Sequence, residues 1–214
     1  MPQSQTLTDT PVAAYDNVAG NHYDKYNTGN PIARWLMNGF LGAFDMLAAQ
    51  SGAAEAFEAG CGEGHLSLRL ERAGLKVRGV DLEESAIEEA RANASREGAS
   101  ARFDVADLYT LDPAIHGAPL VVSCEVLEHV PDPDRALDVL TKLAQPWLLV
   151  SVPREPVWRA MNMARGKYLG QLGNTPGHIQ HWSASGFEAL VSRHARIVAA
   201  RRPLPWTMLL CRCD

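Results

Sequence analysis

Glu58-Ala59-Gly60-Cys61-Gly62-Glu63-Gly64 is the stretch on which the fold turns. AAFEAG leads into it and reads as a short strand; HLSLRLERAG follows and reads as an amphipathic helix closed by Gly74. Glycines between a strand and a helix let the main chain turn tightly and let a ligand lie against bare backbone. The helix N-terminus adds N–H groups without intrahelical partners and a partial positive charge. Together they suit a nucleotide-like ligand, and the spacing narrows which one. A dinucleotide fingerprint, G-x-G-x-x-G, would place its third glycine at residue 65, where His65 stands. That disfavours a nicotinamide oxidoreductase. The G-K-[ST] of a phosphate-binding P-loop is absent. Glu58, just before the loop, would repel a pyrophosphate but tolerates a cationic amine.

Two further acids extend this reading. Asp81 closes the next strand, LKVRGVDL, about 20 residues on, where a carboxylate can take both hydroxyls of a ribose. Asp107 ends the third strand, ARFDVAD, in V-A-D-L, and can accept from an exocyclic adenine amine. The three acids describe an adenosine with no phosphate and a positively charged tail.

The surrounding pattern alternates strand and helix. PLVVSCEV is a fourth strand, a helix capped by Asp132 and Pro133 follows, and WLLVSVP is a fifth strand. Ser85 with Glu88, and Ser185 with Glu188, read as capping boxes for two more helices, with Ser183 as the other reading of the second cap. Before the glycine loop, residues 30–50 read as one helix capped by Asn30 and ended by Gly52. Its apolar face comprises Ile32, Trp35, Leu36, Gly39, Phe40, Ala43, Phe44 and Leu47. ARIVAARRPL and PWTMLLCRCD are two final strands joined by a turn too short for a parallel crossover, so the last should run antiparallel. The expected class is α/β: a mostly parallel sheet, helices on both faces, and an antiparallel last strand.

E-A-G-C-G-E-G, G-V-D-L, V-A-D-L and V-V-S-C-E-V-L-E-H-V, in that order, resemble the class I S-adenosylmethionine-dependent methyltransferases. The fourth segment is similar to the small-molecule branch that includes ubiquinone-biosynthesis O-methyltransferases (methyltransferase type 11/12). The resemblance covers about residues 50–155 well and 175–214 loosely. It implies a Rossmann-like sheet of seven strands and S-adenosylmethionine as cofactor. Glu58, Gly60, Cys61, Gly62 and Gly64 would lie under the methionine moiety. Asp81 and Leu82 would hold the ribose, and Asp107 and Leu108 the adenine. Cys124 and Glu125, at the end of the fourth strand, complete the expected cofactor contacts. Cys61 and Cys124 read as packing residues, not nucleophiles.

Glu125, Glu128 and His129 follow the fourth strand, where ligands meet the carboxyl ends of a parallel sheet. Glu128 and His129 can pair locally. His129 can also act as general base on an acidic hydroxyl. A third reading is a metal, which is not the preferred one. E-x-x-E-H with a distant His resembles the site of small-RNA 3′-end 2′-O-methyltransferases. Glu125, Glu128, His129 and either His178 or His181 would then be the ligands. G-H-I-Q-H-W-S (177–183) resembles a segment that faces the substrate pocket in this branch, so His129, His178 and His181 are the candidate catalytic residues. Trp158, Met161, Met163, Tyr168 and Leu172 suit an apolar lid over about 154–182, and Tyr23, Lys25 and Tyr26 resemble a cover over the cofactor. The expected division is an N-terminal tail and cover helices over 1–53 and a methyltransferase domain over 54–214.

Length and composition bound the rest. The chain has 214 residues, 46% hydrophobic and 21% charged, which suits one ordinary globular domain. Its 20 Lys and Arg against 25 Asp and Glu leave a net charge of −5, so a broad grip on nucleic acid or an anionic membrane is not expected. The four cysteines suggest free thiols in a reducing cytoplasm. No apolar run reaches the ~20 residues that span a bilayer, and the first residues do not read as a signal peptide. The expected protein is cytoplasmic, a monomer or homodimer, and acts on a small-molecule acceptor. It would transfer a methyl group to oxygen, ahead of nitrogen or carbon. The alternatives are a metal-dependent 2′-O-methyltransferase of RNA and a non-catalytic cofactor-binding module.

Overall fold

The computed structural model describes residues 30–166 and 168–214. Tyr23, Lys25 and Tyr26 lie outside the described residues. The strands are β1 (Glu55–Ala59), β2 (Lys76–Asp81), β3 (Arg102–Val105), β4 (Ala118–Cys124), β5 (Ala144–Pro153), β6 (Arg196–Arg201) and β7 (Trp206–Arg212). They form one sheet in the order β3-β2-β1-β4-β5-β7-β6. The first five pair in parallel, and β7 runs antiparallel to both of its neighbours. This is the expected mostly parallel, Rossmann-like sheet with an antiparallel last strand.

The helices are α1 (Pro31–Ser51), α2 (His65–Arg72), α3 (Glu84–Glu97), α4 (Pro113–His116), α5 (Pro133–Leu143), α6 (Val157–Ala164) and α7 (Ala184–Val191). Two cores lie on opposite faces of the sheet. On one, Leu137 and Leu140 of α5 and Phe187 and Val191 of α7 pack on Val121, Leu148 and Leu209. On the other, Phe40, Phe44 and Leu47 of α1 and Leu66 and Leu70 of α2 pack on Leu120, Leu149 and Met208. Beside that core, Ile87 and Ala90 of α3 meet Leu68 and Phe103.

Three local expectations need correction. In α1, Asn30 does cap Ile32 and Ala33, but Ile32 and Trp35 are 66% and 65% exposed. The stripe covered by the sheet starts a turn later, at Leu36, and rotates to take in Met37. Ser85 does not cap α3: its N-cap is Glu83, and Asp81 accepts the Glu83 N–H instead. Ser183, not Ser185, caps α7, its Oγ accepting the Gly186 N–H. In α7 the competing acceptor stands two residues earlier in the chain, whereas α3 starts without a side-chain cap bond.

The strand order reverses between β1 and β4, so their carboxyl ends open side by side. In a sheet of this kind that crevice is where ligands bind. The glycine loop leaves β1 there, and Glu125–His129 leaves β4 there.

Candidate active site

The glycine loop is locked onto β2. The Gly60 and Cys61 N–H groups both donate to Val80 O, at 2.8 and 2.9 Å. Gly60 has φ 78°, and a Cβ there would sit 2.3 Å from Val126 Cγ2, so the loop also abuts the turn after β4. Gly62 differs: φ is 51°, and a Cβ there would meet nothing within 4 Å. That leaves a bare backbone face open to a ligand. Gly64 precedes α2, and Asn93 of α3 donates to Glu63 O at 2.9 Å, holding the loop from behind.

The acids differ in their settings. Asp81 is half-buried, with Oδ2 accepting the Gly62 N–H at 2.7 Å and Oδ1 the Glu83 N–H at 3.0 Å. Its plane is therefore fixed, and each oxygen keeps a second lone pair. Asp107 accepts the Tyr109 N–H at 2.9 Å and caps the 3₁₀ turn Leu108–Thr110. Leu108 is half-buried and Leu82 exposed. Glu58 is only 2% exposed and accepts the Ser67 hydroxyl at 2.5 Å. Burial pushes its carboxyl up to about 8, with Asp81 adding to the rise. Burial also drives the Cys61 and Cys124 thiols far above their ordinary range, which removes them as thiolate nucleophiles.

The turn after β4 gathers the second group. Glu128 (1% exposed), His129 and His178 (9% exposed) each place a ligand-type atom within 4.8 Å of the others. His129 Nδ1–H donates to Gly177 O at 2.9 Å, so the neutral ring carries its basic lone pair on Nε2. The Ile179 and Gln180 N–H groups donate to Glu128 O at 2.9 and 3.1 Å, tying residues 177–180 to this turn.

Glu125 faces elsewhere. Its Oε1 accepts the Ser151 hydroxyl at 3.0 Å and its Oε2 the Trp206 Nε1–H at 2.6 Å. Trp206 stands edge-on to Phe40 and Trp158, with ring centres 5.0 and 5.8 Å away. Trp158 stacks on His178 at 5.8 Å, and His178 meets His129 edge-on at 4.9 Å.

With this geometry in view, the chain can be set beside known proteins. Residues 56–146, from β1 to the start of β5, match a family profile described as "Methyltransferase domain". Over that stretch the chain is similar to methyltransferase domains. Over 107 residues it is 34% identical to the ubiquinone biosynthesis O-methyltransferase of Cupriavidus pinatubonensis, covering 50% of this chain and 43% of that protein. The protein of the same name in Pectobacterium carotovorum is 24% identical over 197 residues, covering 84% of this chain and 81% of the relative. The chain thus spans less than half the length of the first curated relatives it matches. Among solved structures, magnesium protoporphyrin IX methyltransferase from Synechocystis PCC 6803 with bound SAH shares the fold. Its TM-score is 0.68 at 21% identity, over 89% of this chain and 91% of that one.

In the structure the sequence-expected residues of the two clusters, and His181, divide in three. Glu58, Gly60, Cys61, Gly62, Gly64 and Asp81 converge on the loop. His129 and His178 converge with Glu128. His181 stands apart: it is exposed, and its Nε2 lies 2.7 Å from Asn174 Oδ1. The metal-ligand alternative is narrowed in the same way, since the cluster found among the described residues is Glu128, His129 and His178, without Glu125. Sequence reasoning missed Ser67, Asn93, Ser151 and Trp206. A signal existed for Ser67, a lone hydroxyl between leucines on a buried helix face, and for Trp206, an indole opening an otherwise aliphatic strand. Among the described residues no helix is long and apolar enough to cross a membrane.

Proposed function

We propose that this domain transfers the methyl group of S-adenosylmethionine to a hydroxyl of a small-molecule acceptor, with His129 taking the proton. The supporting observation is the Nδ1–H bond of His129 to Gly177 O, which leaves the basic lone pair on Nε2, in a ring whose neighbours are Glu128 and His178. The turn carrying His129 abuts the glycine loop through Val126, so base and cofactor loop share one crevice.

The residues present fit the cofactor. The open face over Gly62 suits the amino-acid part, and buried Glu58 suits its cationic amine. The pinned Asp81 carboxylate presents its remaining lone pairs to a ribose, and Asp107 and Leu108 border the adenine. Leu82, Cys61, Gly60, Gly64 and Cys124 complete the walls. The cofactor supplies a methyl group already activated on sulfur. The protein's part is therefore alignment, exclusion of water and removal of one proton. Residues 177–180, bonded to the Glu128 backbone, cover the His129 side of the crevice. The lid over about 154–182 and the cover over 1–53 belong to the same proposal. Because the curated relatives bear the name ubiquinone biosynthesis O-methyltransferase, the first acceptors to try are phenols.

Calorimetry with S-adenosylmethionine tests the cofactor reading. Asp81→Ala and Gly62→Arg should each weaken binding at least tenfold, about 1.4 kcal/mol or more. Unchanged affinity in both would overturn it. His129→Ala should cut transfer to a phenol by about 10²-fold or more while cofactor affinity holds.

The mutual closeness of Glu128, His129 and His178 supports a second reading, a divalent metal held by one carboxylate and two imidazoles. The His129–Gly177 bond would then orient a ligand ring. Such an ion would polarise the acceptor oxygen. Activity abolished by a chelator and restored by Mg²⁺, Mn²⁺ or Zn²⁺ would replace His129 as base. Activity untouched by the chelator would remove the metal, and with it the RNA 2′-O-methyltransferase alternative.

A further inference from the structure

Glu125 holds a conformation that its own residue type resists. Its φ is 61°, in the left-handed region that a non-glycine residue with Cβ rarely adopts. Such a conformation persists where its surroundings impose it, and it marks functional sites more often than other places. Here the surroundings are explicit. The Glu125 N–H donates to Ser151 O at 3.0 Å, and its carboxylate accepts from Ser151 at 3.0 Å and from Trp206 at 2.6 Å. One residue after β4 is thereby bonded to β5 and to β7.

From Trp206 the contacts run on without a gap. Trp206 meets Trp158 at 5.8 Å with the planes at 60°, and Trp158 stacks on His178 at 5.8 Å and 26°. His178 meets His129 at 4.9 Å and 86°. Trp158 cannot turn freely within this series, since its Nε1–H donates to Thr175 Oγ1 at 2.9 Å. Thr175 in turn accepts from Asn162 at 3.2 Å. His129 then leads back along its own turn, through its N–H bond to Val126 O at 2.9 Å, to Glu125. The path is a closed ring that starts and ends on the turn after β4.

We propose that Glu125 and Trp206 are a positioning pair for the two histidines, a role that replaces cofactor contact for the Glu125 side chain. Glu125 fixes the rotation of the Trp206 indole. Trp206 and Thr175 together fix the plane of Trp158, and that plane sets the face of His178 that meets His129. The inference rests on the proposed function only in its consequence, the proton transfer at His129.

The test uses the full chain and begins with a readout independent of turnover. In NMR spectra at one fixed pH, Glu125→Gln should move the Trp206 indole N–H resonance upfield, and Trp206→Phe should remove it. In both variants the ring resonances of His129 and His178 should shift. Those of His194, which sits between Asp134 and Asp138 at 2.8 and 2.9 Å on the other face, should stay in place. Unmoved His129 and His178 resonances in a folded variant would overturn the positioning pair. Should Glu125→Gln fail to fold, Trp206→Phe decides alone. A kinetic arm separates this from the base assignment: Glu125→Gln should lower kcat several-fold with cofactor affinity within twofold of the parent. Equal kcat would count against the pair. Full activity in His129→Ala would sink the base and leave the resonance shifts standing.

Discussion

Glu58 is the residue whose chemistry departs furthest from its type. A carboxyl raised from 4.5 to about 8 binds a proton in the folded chain over a range where the unfolded chain has lost it. The sign follows from linkage: its contribution is fully present below about pH 4.5 and is lost as pH rises through about 8. Burial is the main cause, opposed by the Ser67 hydrogen bond and reinforced by Asp81. Glu58→Gln should therefore flatten the fall in stability between these pH values. The gain near pH 8 should be a few kcal/mol at most, since each tenfold change in proton affinity is worth ~1.4 kcal/mol. Denaturant midpoints at several pH values would measure it, and a steeper fall in the variant would refute this. The same carboxyl should release a proton when a cationic amine settles beside it, so calorimetry at pH 7 should show buffer-dependent heats that Glu58→Gln diminishes.

At the level of elements, legibility followed locality. The strand, loop and helix around Gly60–Gly64 were readable because glycine spacing and apolar periodicity are local signals. The antiparallel last strand was readable because a short Pro-bounded turn excludes a crossover. Ser85 and Ser185 satisfy a local capping pattern, yet α3 starts at Glu83 without a side-chain cap bond, and Ser183 takes the first turn of α7. The diversion of Glu125 could not be read at all, because its partners Ser151 and Trp206 are 26 and 81 residues away. His178 and His181 look equivalent in sequence, and only tertiary contacts tell them apart: His178 is buried under Trp158 beside Glu128 and His129, and His181 is exposed. The α7 cap gives a direct check. Ser183→Ala should cost about 1 kcal/mol in chemical denaturation, and Ser185→Ala only a few tenths. The opposite ranking would restore Ser185 as the cap.

For the whole molecule, α1 behaves as part of the core more than as a separable cover. Phe44 and Leu47 are fully buried, in one cluster with Leu120, Leu149 and Leu210 of the sheet. A chain beginning at residue 53 should therefore lose its cooperative thermal transition and bind a hydrophobic dye. A sharp transition in that shortened chain would show that α1 is dispensable. The placement of β7 carries a consequence for how the molecule is made. This strand is the last of the seven in sequence, yet it lies between β5 and β6 and is buried along nearly its whole length. While the chain emerges from the ribosome, β5 shows an open edge until Trp206–Arg212 arrives. Between the synthesis of Pro153 and that of Arg212 that edge invites pairing with other chains. Trp206 opens this same strand, so the aromatic ring around His178 closes in the same event that seals the sheet. A nascent chain that has not finished folding thus cannot present a finished site.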